Sequence, residues 1–430
     1  MRKFILAGAL VAAVAALGLA TAFAVENHLQ PTSLPRVLPA AADVEWGLAR
    51  KYPGDAGIQS DSSVVFYEDF ENSTVADLAQ RWNNISNKDD QVLSFVTDDP
   101  PGGTGAHSLQ MTGTKGLNNG GHLYKTLGPG YDQLYARFYA KFAADAPYVH
   151  HFVQLGSEFN PPDYPMGFAG SRPNGFDHFT TALDLGTDNY EAAPPGAWML
   201  YSYWPEMQSW QSDNGEPDGR PNPYYGNVFE TLQPVQAPRG EWICLELMIK
   251  CNSAPDKRDG EEAFWVNGRL IDRWATGTHT GTLFRGNFRL DGVFNTNPKP
   301  FEGFMWRKTN ALKINYLWLQ YYLEGVYDLR PKDSTITING QVARVEFDNV
   351  VLATEYIGPL ATEPPGPGCD INGDGNANVI DVIKLVQLCL NNPQDPRADY
   401  NGDGSATISD AIALLIDIIE GNCFDMGNVG

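Results

Sequence analysis

The C-terminal part of the 430-residue chain carries one short loop pattern twice. The first copy reads DINGDG from Asp370, and the second reads DYNGDG from Asp399. Calcium takes six to eight oxygen ligands, and its loops need a glycine at the sixth position for a sharp turn. The pattern therefore predicts two Ca²⁺ sites. Their ligands are Asp370, Asn372, Asp374, Asn376, Asn378 and Asp381 in the first loop and Asp399, Asn401, Asp403, Ser405, Thr407 and Asp410 in the second, with Asn376 and Ser405 acting through their carbonyl oxygens.

The N-terminus has the layout of a secretory signal peptide over residues 1–24. Two basic residues precede an apolar run over 4–19, and AFA at 22–24 supplies the small residues of a cleavage site. The run is short for a membrane span, and no second long apolar run follows it. We therefore expect a lead-in segment over 25–42 and a secreted or cell-surface protein with no membrane span after cleavage. The net charge of −22 argues against nucleic acid as a partner.

Residues 43–360 read as one large β-rich domain, because short alternating runs recur between Gly and Pro and helical periodicity is nearly absent. This pattern predicts a sandwich or jelly roll. Segment 157–236 holds 11 prolines and 14 aromatic residues, which predicts long loops with two embedded strands over one face. The strands are predicted at 64–70, 108–112, 134–142, 149–155, 179–185, 198–204, 242–250, 262–266, 283–291, 313–322 and 344–353.

A proline-rich linker over 361–368 separates this domain from a module over 369–430. An apolar helix is expected after each calcium loop, so the predicted fold class is mostly β, with a jelly-roll sandwich followed by a small all-α calcium-binding module. A module of this size has little core, so calcium should supply much of its folding free energy. Cys369 and Cys423 flank the repeats and are candidates for a disulfide that joins the ends of the module.

The duplicated loops, the final Asp in each and the missing entry helices make residues 369–423 resemble a type I dockerin. That resemblance implies calcium-dependent docking to a cohesin domain. That family typically recognises its partner through a Ser/Thr pair before the last ligand and through basic residues on the helix. Here the pairs are Val379-Ile380 and Ile408-Ser409, and the helix positions are Val386-Gln387 and Leu415-Ile416. A cohesin-like protein, an unusual partner and an intramolecular partner therefore all stay open.

The run GEWIC from Gly240, the run FWVNG from Phe264 and the run VEFDNVV from Val345 resemble a concanavalin A-like jelly roll. That group includes lectins, laminin-G-like modules, glycoside hydrolases and polysaccharide lyases. The resemblance spans about residues 60–355 and implies a fold rather than one activity. It favours a polysaccharide as the partner of this domain.

Strand alternation places polar or aromatic stripes on three predicted strands. A lyase acting on a uronic-acid polysaccharide must neutralise a carboxylate, remove the adjacent proton and protonate the leaving oxygen. Arg285, Arg289 or Gln154 are candidates for neutralisation, His150 for the base, and Tyr316 or Tyr322 for the acid. The same alternation places His150 and His151 on opposite sides of their strand.

Two other classes of function compete with a lyase. A glycoside hydrolase needs two carboxyl groups across a cleft; the candidates are Glu158, Asp184, Glu206 and Glu246, and no closely spaced acidic set marks a pair among them. A non-catalytic lectin-like or surface-structural protein with a docking tail explains the tryptophans and tyrosines equally well. The sequence therefore indicates a protein that acts on or binds extracellular polysaccharide and favours a lyase over a hydrolase.

Overall fold

The computed structural model describes residues 44–71, 74–186, 192–231, 234–290, 298–323, 342–362, 368–374, 376–395, 397–401 and 404–420. The predicted signal peptide and lead-in segment lie outside these residues, as do Asp403 and Cys423. Within the described ranges, no helix is long and apolar enough to cross a membrane.

The described part of the chain is dominated by β-strands and ends in two α-helices. The strands are β1 (Val64–Glu68), β2 (Asn84–Ser86), β3 (Leu93–Val96), β4 (Ser108–Thr114), β5 (Gly120–Tyr131), β6 (Gln133–Phe142), β7 (His151–Glu158), β8 (His178–Gly186), β9 (Ala197–Tyr203), β10 (Asn227–Glu230), β11 (Ile243–Lys250), β12 (Glu261–Val266), β13 (Arg269–Trp274), β14 (Thr280–Phe284), β15 (Asn287–Arg289), β16 (Lys299–Pro300), β17 (Ile314–Tyr322) and β18 (Val342–Ala353). The helices are α1 (Val379–Asn391) and α2 (Ile408–Glu420).

The strands form two sheets that pack face to face. Sheet A has the order β13-β12-β11-β6-β18-β4-β3, with β1 also paired to β18. Sheet B has the order β16-β14-β15-β10-β9-β8-β7-β17-β5-β2. Neighbours are antiparallel except for a short parallel pairing of β10 with β15. The expectation of a mostly β, jelly-roll-like sandwich followed by a small helical unit is confirmed.

Aromatic side chains join the two sheets. Phe152 on β7 of sheet B packs against Phe142 and Phe347 of sheet A, with ring centroids 5.1 and 5.2 Å apart. Trp198 on β9 contacts the same Phe142 at 6.2 Å. Each fully buried ring of this kind stabilises the fold by about 2–3 kcal/mol. This aromatic layer fixes which residues of β7 face the core and which face outward.

One predicted strand is wrong. The run 283–291 does not form a single strand, because β14 and β15 pair as a hairpin that turns at Arg285 and Gly286. Both turn residues have positive φ, 49° and 79°, as a tight hairpin requires. Arg285 and Arg289 therefore do not belong to one continuous stripe.

Several strands lack the pattern that sequence reasoning relies on. The longest is β5, which contains four glycines and Pro129 and pairs with β17 along most of its length. A Cβ at Gly121 would collide with the carbonyl oxygen of Ser86, so glycine is needed where β2 approaches β5. Besides the end of β7, the described residues of segment 157–236 hold three strands instead of the two predicted, since β10 was not expected.

The C-terminal helices pack around a small core of their own. Cys369, Ile371, Leu385, Tyr400 and Leu414 are buried together. Cys369 is disulfide-bonded, whereas Cys244, Cys251 and Cys389 carry free thiols. This core is small beside that of the sandwich, which agrees with a module that needs further stabilisation.

A buried ion pair holds the entry segment against sheet A. The guanidinium of Arg137 on β6 donates to the Asp55 carboxylate, and both side chains are fully buried. Burial opposes the charge of Arg137, but the nearby Asp55 nevertheless raises the pKa of that guanidinium. The amide of Asn349 on β18 also donates to Asp55, at 3.3 Å.

We predict that Asp55→Asn lowers the free energy of unfolding by roughly 3–5 kcal/mol, because it leaves the buried Arg137 charge uncompensated. Asn tolerates the φ of 63° at this position, so backbone strain does not enter. Chemical denaturation measures the change. Asp218→Asn, which breaks an exposed pair with Arg220, is the control and should leave the free energy of unfolding almost unchanged. Equal effects of the two variants would contradict the assignment.

Candidate functional site

A groove of about 420 Å³ lies on the face of sheet B that points away from the core. A row of paired residues crosses four strands of sheet B: Trp318 on β17, Gln154 on β7, Ala182 on β8 and Tyr201 on β9. The three larger side chains of this row face the groove, while Leu317 and Leu319 face the core. The groove is lined by Ser86, Lys88, Asn119, Gly120, Gly121, His122, His150, His151, Gln154, Met166, Gly167, Phe168, Ala169, Thr180, Tyr201, Tyr203, Trp318, Gln320, Tyr321 and Tyr322.

The lining has an unusual charge balance for so acidic a protein. It includes one lysine and three histidines, and none of its described residues is Asp or Glu. Amide side chains and tyrosines supply most of its other polar groups. The groove therefore suits an anionic, hydroxyl-rich ligand better than a cationic one.

The geometry at the start of β7 depends on Asp184. Its buried carboxylate accepts a hydrogen bond from the backbone N–H of Phe152 at 2.7 Å and one from Nδ1 of His151 at 2.8 Å. Phe152 and Val153 both pack into the core, so the alternation of β7 is broken at this point. As a result His150 and His151 both line the groove, with ring centroids 4.2 Å apart. The expectation that they face opposite sides was wrong.

Because the Asp184 carboxylate accepts a hydrogen bond from Nδ1–H, a neutral His151 ring carries its basic lone pair on Nε2. His151 is partly exposed, and Asp184 is fully buried. A histidine oriented in this way by a buried carboxylate is a common arrangement for proton transfer.

Tyrosines surround the His151 ring. Tyr322 stacks on it at 5.9 Å with an interplanar angle of 7°, and Tyr201 lies at 5.4 Å. The hydroxyls of Tyr201 and Tyr203 are 3.5 Å apart. Burial raises the pKa of both Tyr201 and Tyr203, so these phenols keep their protons at neutral pH. The wall can therefore donate protons and stack on a ligand ring.

Amide and indole groups of the groove have unused hydrogen-bonding capacity. Gln320 is 3% exposed, and its Nε2 has no hydrogen-bond partner among the described residues. Nε1 of Trp318 is also buried and has no hydrogen-bond partner among the described residues. Because an unpaired buried donor costs about 1–3 kcal/mol, these atoms favour an acceptor from a ligand.

The neighbouring His122 is a neutral group. Its Nε2 lies 3.0 Å from Oδ1 of Asn84, and its ring meets Trp318 edge-on at 5.6 Å. Burial, helped by the positive charge of Lys88, lowers the pKa of His122 to about 4. His122 therefore offers a hydrogen bond without a charge at neutral pH.

The structure brings together three of the six candidate catalytic residues. His150, Gln154 and Tyr322 line the groove. Tyr316 shares their face but is 2% exposed and packs against Tyr124, with ring centroids 5.5 Å apart. Tyr316 is therefore covered rather than open to a ligand.

The two candidate arginines lie elsewhere. Arg285 sits at the β14–β15 turn and pairs with Asp213 at 2.7 Å. Arg289 on β15 lies 3.8 Å from Glu230. Strands β10, β9 and β8 separate β15 from β7, so neither arginine reaches the groove lining.

The four carboxyl groups considered for hydrolysis have other surroundings. Asp184 holds His151, and Glu206 pairs with Arg258 at 2.6 Å. Glu246 is buried and accepts hydrogen bonds from two backbone N–H groups near residue 357, each at 2.8 Å. Glu158 lies beyond the groove beside exposed phenylalanines. The described residues do not place two of these carboxyls across one cleft.

Sequence reasoning missed several residues of the groove. Strict alternation predicts that His151 points away from the groove, and the irregularity in β7 carries no local sequence signal. Lys88 and His122 lie beside or on strands that were not predicted. Tyr201 and Gln320 do alternate with core residues, and this signal could have found them.

The two tail loops have matching geometry. The carboxylate of Asp381 accepts from the backbone N–H groups of Asn372 and Asn378, at 3.0 and 2.8 Å. The carboxylate of Asp410 accepts from the corresponding Asn401 and Thr407, at 3.0 and 2.7 Å. The last Asp of each loop thus connects its third and ninth positions in the same way.

The donor set of these loops fits a hard cation. Oδ1 of Asp399 is buried without a hydrogen-bond partner among the described residues. Asp403, another predicted ligand, lies outside them. Across the part of the chain that is described, no group of three or more His, Cys, Asp and Glu side chains is gathered around a metal position. The predicted ligands are instead a mixture of carboxylate, amide, hydroxyl and carbonyl oxygens, which is the donor set that calcium prefers.

Comparison with protein-family profiles and with curated protein sequences finds no match. Similar solved structures include an alginate lyase from Aplysia kurodai, at 13% identity and TM-score 0.44, covering 68% of this chain and 100% of that one. An alginate lyase from a Chlorella virus has 13% identity and TM-score 0.42, and the match covers 67% of this chain and 99% of that one. An endo-β-1,4-glucuronan lyase from Trichoderma reesei has 16% identity and TM-score 0.35, with 68% and 95% covered.

Proposed function

We propose that the groove binds an acidic polysaccharide containing uronic acid units and cleaves it by β-elimination. The observation that carries the proposal is the lining: a His151 ring oriented by Asp184, protonated tyrosines, one amide and one indole N–H without described partners, and no carboxylate among the described lining residues. Each step of the elimination has a matching group in this set.

The uronate carboxylate must first be neutralised, because its charge opposes removal of the adjacent C5 proton. Nε2 of Gln320 is a buried donor without a described partner, and the amide of Gln154 lines the same groove. Lys88 adds a positive charge at the edge. Such preorganised donors stabilise the negative charge that develops on the carboxylate as the C5 proton leaves.

Nε2 of His151 then takes the C5 proton, and the electron pair forms the C4–C5 double bond as the C4–O4 bond breaks. Asp184 keeps the Nδ1 proton in place and stabilises the imidazolium that results. Tyr201 gives its proton to the leaving O4, since its raised pKa keeps it protonated until that step. His150 lies beside His151, and Tyr322 supports the ring by stacking.

The same features weigh against the alternatives. A glycoside hydrolase would need two carboxyl groups across the groove. A lectin would need the aromatic and amide surface but gains nothing from a histidine fixed by a buried carboxylate. Incubation with acidic and neutral polysaccharides distinguishes the three classes: ultraviolet-absorbing products indicate elimination, new reducing ends without absorbance indicate hydrolysis, and retention without products indicates binding.

We predict that His151→Ala lowers kcat on an acidic polysaccharide by about 10²–10⁴-fold, because it removes the base. Asp184→Asn should also lower kcat strongly, since the ring loses its orienting carboxylate. The rate of ultraviolet absorbance increase measures both. His107→Ala, at a partly exposed histidine paired with Glu71 outside the groove lining, is the control and should retain full activity. Full activity of His151→Ala would refute the assignment of the base.

We predict that Gln320→Leu, which keeps the volume and removes the donor, lowers kcat/KM by about 10²–10³-fold. The reason is loss of the hydrogen bond to the uronate carboxylate in the transition state. The midpoint temperature of thermal unfolding should be unchanged or slightly raised, because the substitution removes a buried unpaired donor. Unchanged kinetics would show that Gln320 does not contact the carboxylate.

We also propose that the tail binds two Ca²⁺ ions through the twelve residues named from the sequence and docks to a cohesin-like protein. The matching Asp381 and Asp410 geometry supports the metal, as does Oδ1 of Asp399, which is buried and has no hydrogen-bond partner in the described part of the chain. Support for docking comes from the large apolar side chains that both helices expose. These are Val379, Ile380, Ile383, Leu390, Ile408, Ile412, Leu415, Ile416 and Ile419.

We predict that a calcium chelator exposes the amides of α1 and α2 to hydrogen exchange and leaves the sandwich strands protected, because metal binding supplies folding free energy to the small module. Asp410→Asn should weaken calcium binding, measured by titration calorimetry. Asp395→Asn, which lies between the loops and pairs with Arg397, is the control. Helix protection that is identical with calcium and with chelator would exclude this role for the metal.

A further inference from the structure

An aromatic shelf continues the groove at one end. Phe168 lines both the groove and a neighbouring depression of about 470 Å³. The other walls of the shelf are Glu158, Phe159, Phe176, Asp177 and His178. Phe159 and Phe176 are 59% and 55% exposed, so two large apolar rings face solvent beside the proposed active site.

Hydrogen bonds fix the backbone at both exposed phenylalanines. The N–H of Phe159 donates to the carbonyl oxygen of Asp177 at 2.7 Å, and the N–H of Phe176 donates to Oδ1 of Asn174 at 2.7 Å. Phe168 stacks on the buried His178 with ring centroids 3.7 Å apart and an interplanar angle of 12°. The exposed rings therefore belong to an ordered surface whose floor is itself aromatic.

The shelf differs from the groove in charge. The titratable groups of its lining are Glu158, Asp177 and His178, and no Lys or Arg occurs among the described lining residues. Burial raises the pKa of Glu158 to about 7 and lowers that of His178. A uronate carboxylate would meet carboxyl groups here, with no cation in the lining to compensate.

We propose that this shelf is a subsite for a neutral sugar unit of the same polysaccharide whose uronate unit occupies the groove. The apolar C–H face of a neutral sugar packs on Phe159 and Phe176, and its hydroxyls donate to the carboxyl groups of Glu158 and Asp177. The inference rests on the proposed function for the occupant of the groove. It names the substrate class as a heteropolysaccharide in which uronates are separated by neutral sugars.

The test compares two polymers and two shelf variants. Gellan separates its glucuronates by neutral sugars, whereas polyglucuronate does not. For the full-length protein we expect Phe159→Ala and Phe176→Ala to raise KM for gellan about tenfold, with kcat within about twofold and polyglucuronate kinetics unchanged. Tyr164→Ala is the matched control, because Tyr164 is 54% exposed in the same segment but does not line the shelf.

Binding of gellan oligosaccharides to the His151→Ala protein, measured by calorimetry, separates the shelf from catalysis. Binding that becomes about tenfold weaker when Phe159→Ala is added supports the shelf, whether or not the wild type cleaves the polymer. If such binding occurs and the wild type cleaves nothing, only the proposed elimination is overturned. Cleavage or binding that Phe159→Ala and Phe176→Ala do not alter overturns the shelf alone. An equal loss on polyglucuronate overturns its preference for a neutral sugar, and absence of both binding and cleavage overturns both proposals.

Discussion

The carboxylate of Asp184 couples the core of the sandwich to its groove. It binds the backbone of Phe152, whose ring packs between the sheets, and the imidazole of the preceding His151, which faces outward. This places two consecutive residues on opposite sides of sheet B at a point where the next residue, Val153, also turns inward. The position of the proposed base is therefore set by the same contacts that hold the sheets together.

The distribution of charge follows a similar logic. In salt solution charge repulsion acts over only about 8 Å, so a protein with a net charge of −22 binds a polyanion if the lining of the site is free of carboxylates. The groove meets that condition among its described residues because Asp184 is buried beneath His151. Glu206 and Glu246 are occupied by Arg258 and by backbone N–H groups. Carboxyl groups return at the shelf, where the proposed ligand is neutral.

The sequence predicted the fold better than it predicted the site. Alternation predicted β6, β11, β17 and β18 within a few residues, because the side chains of these strands that face the core recur at every second position. It failed at β5, where glycine is required because a neighbouring strand approaches closely. It also failed at the 283–291 run, where Arg285 takes a positive φ. Both errors come from tertiary contacts or turn geometry that short patterns do not encode.

The candidate site shows the same division. Gln154 and Tyr322 were found because they follow the period of their strands. His151 was turned the wrong way because one irregularity in β7 shifts the period, and its partner Asp184 lies on another strand. Arg285 and Arg289 were chosen for their charge, and the order of strands in sheet B then separates them from β7. Side-chain chemistry alone could not identify which residues converge.

Elimination and hydrolysis in the groove differ in one product feature, because only hydrolysis adds water at the cleaved bond. Cleavage of an acidic polysaccharide in water labelled with heavy oxygen, followed by mass spectrometry of the products, tests the proposed elimination directly. Elimination gives pairs of fragments whose masses sum to that of the substrate, with an unsaturated end and no label introduced at the cleaved bond. Fragments that have gained labelled water at the cleaved bond would contradict elimination.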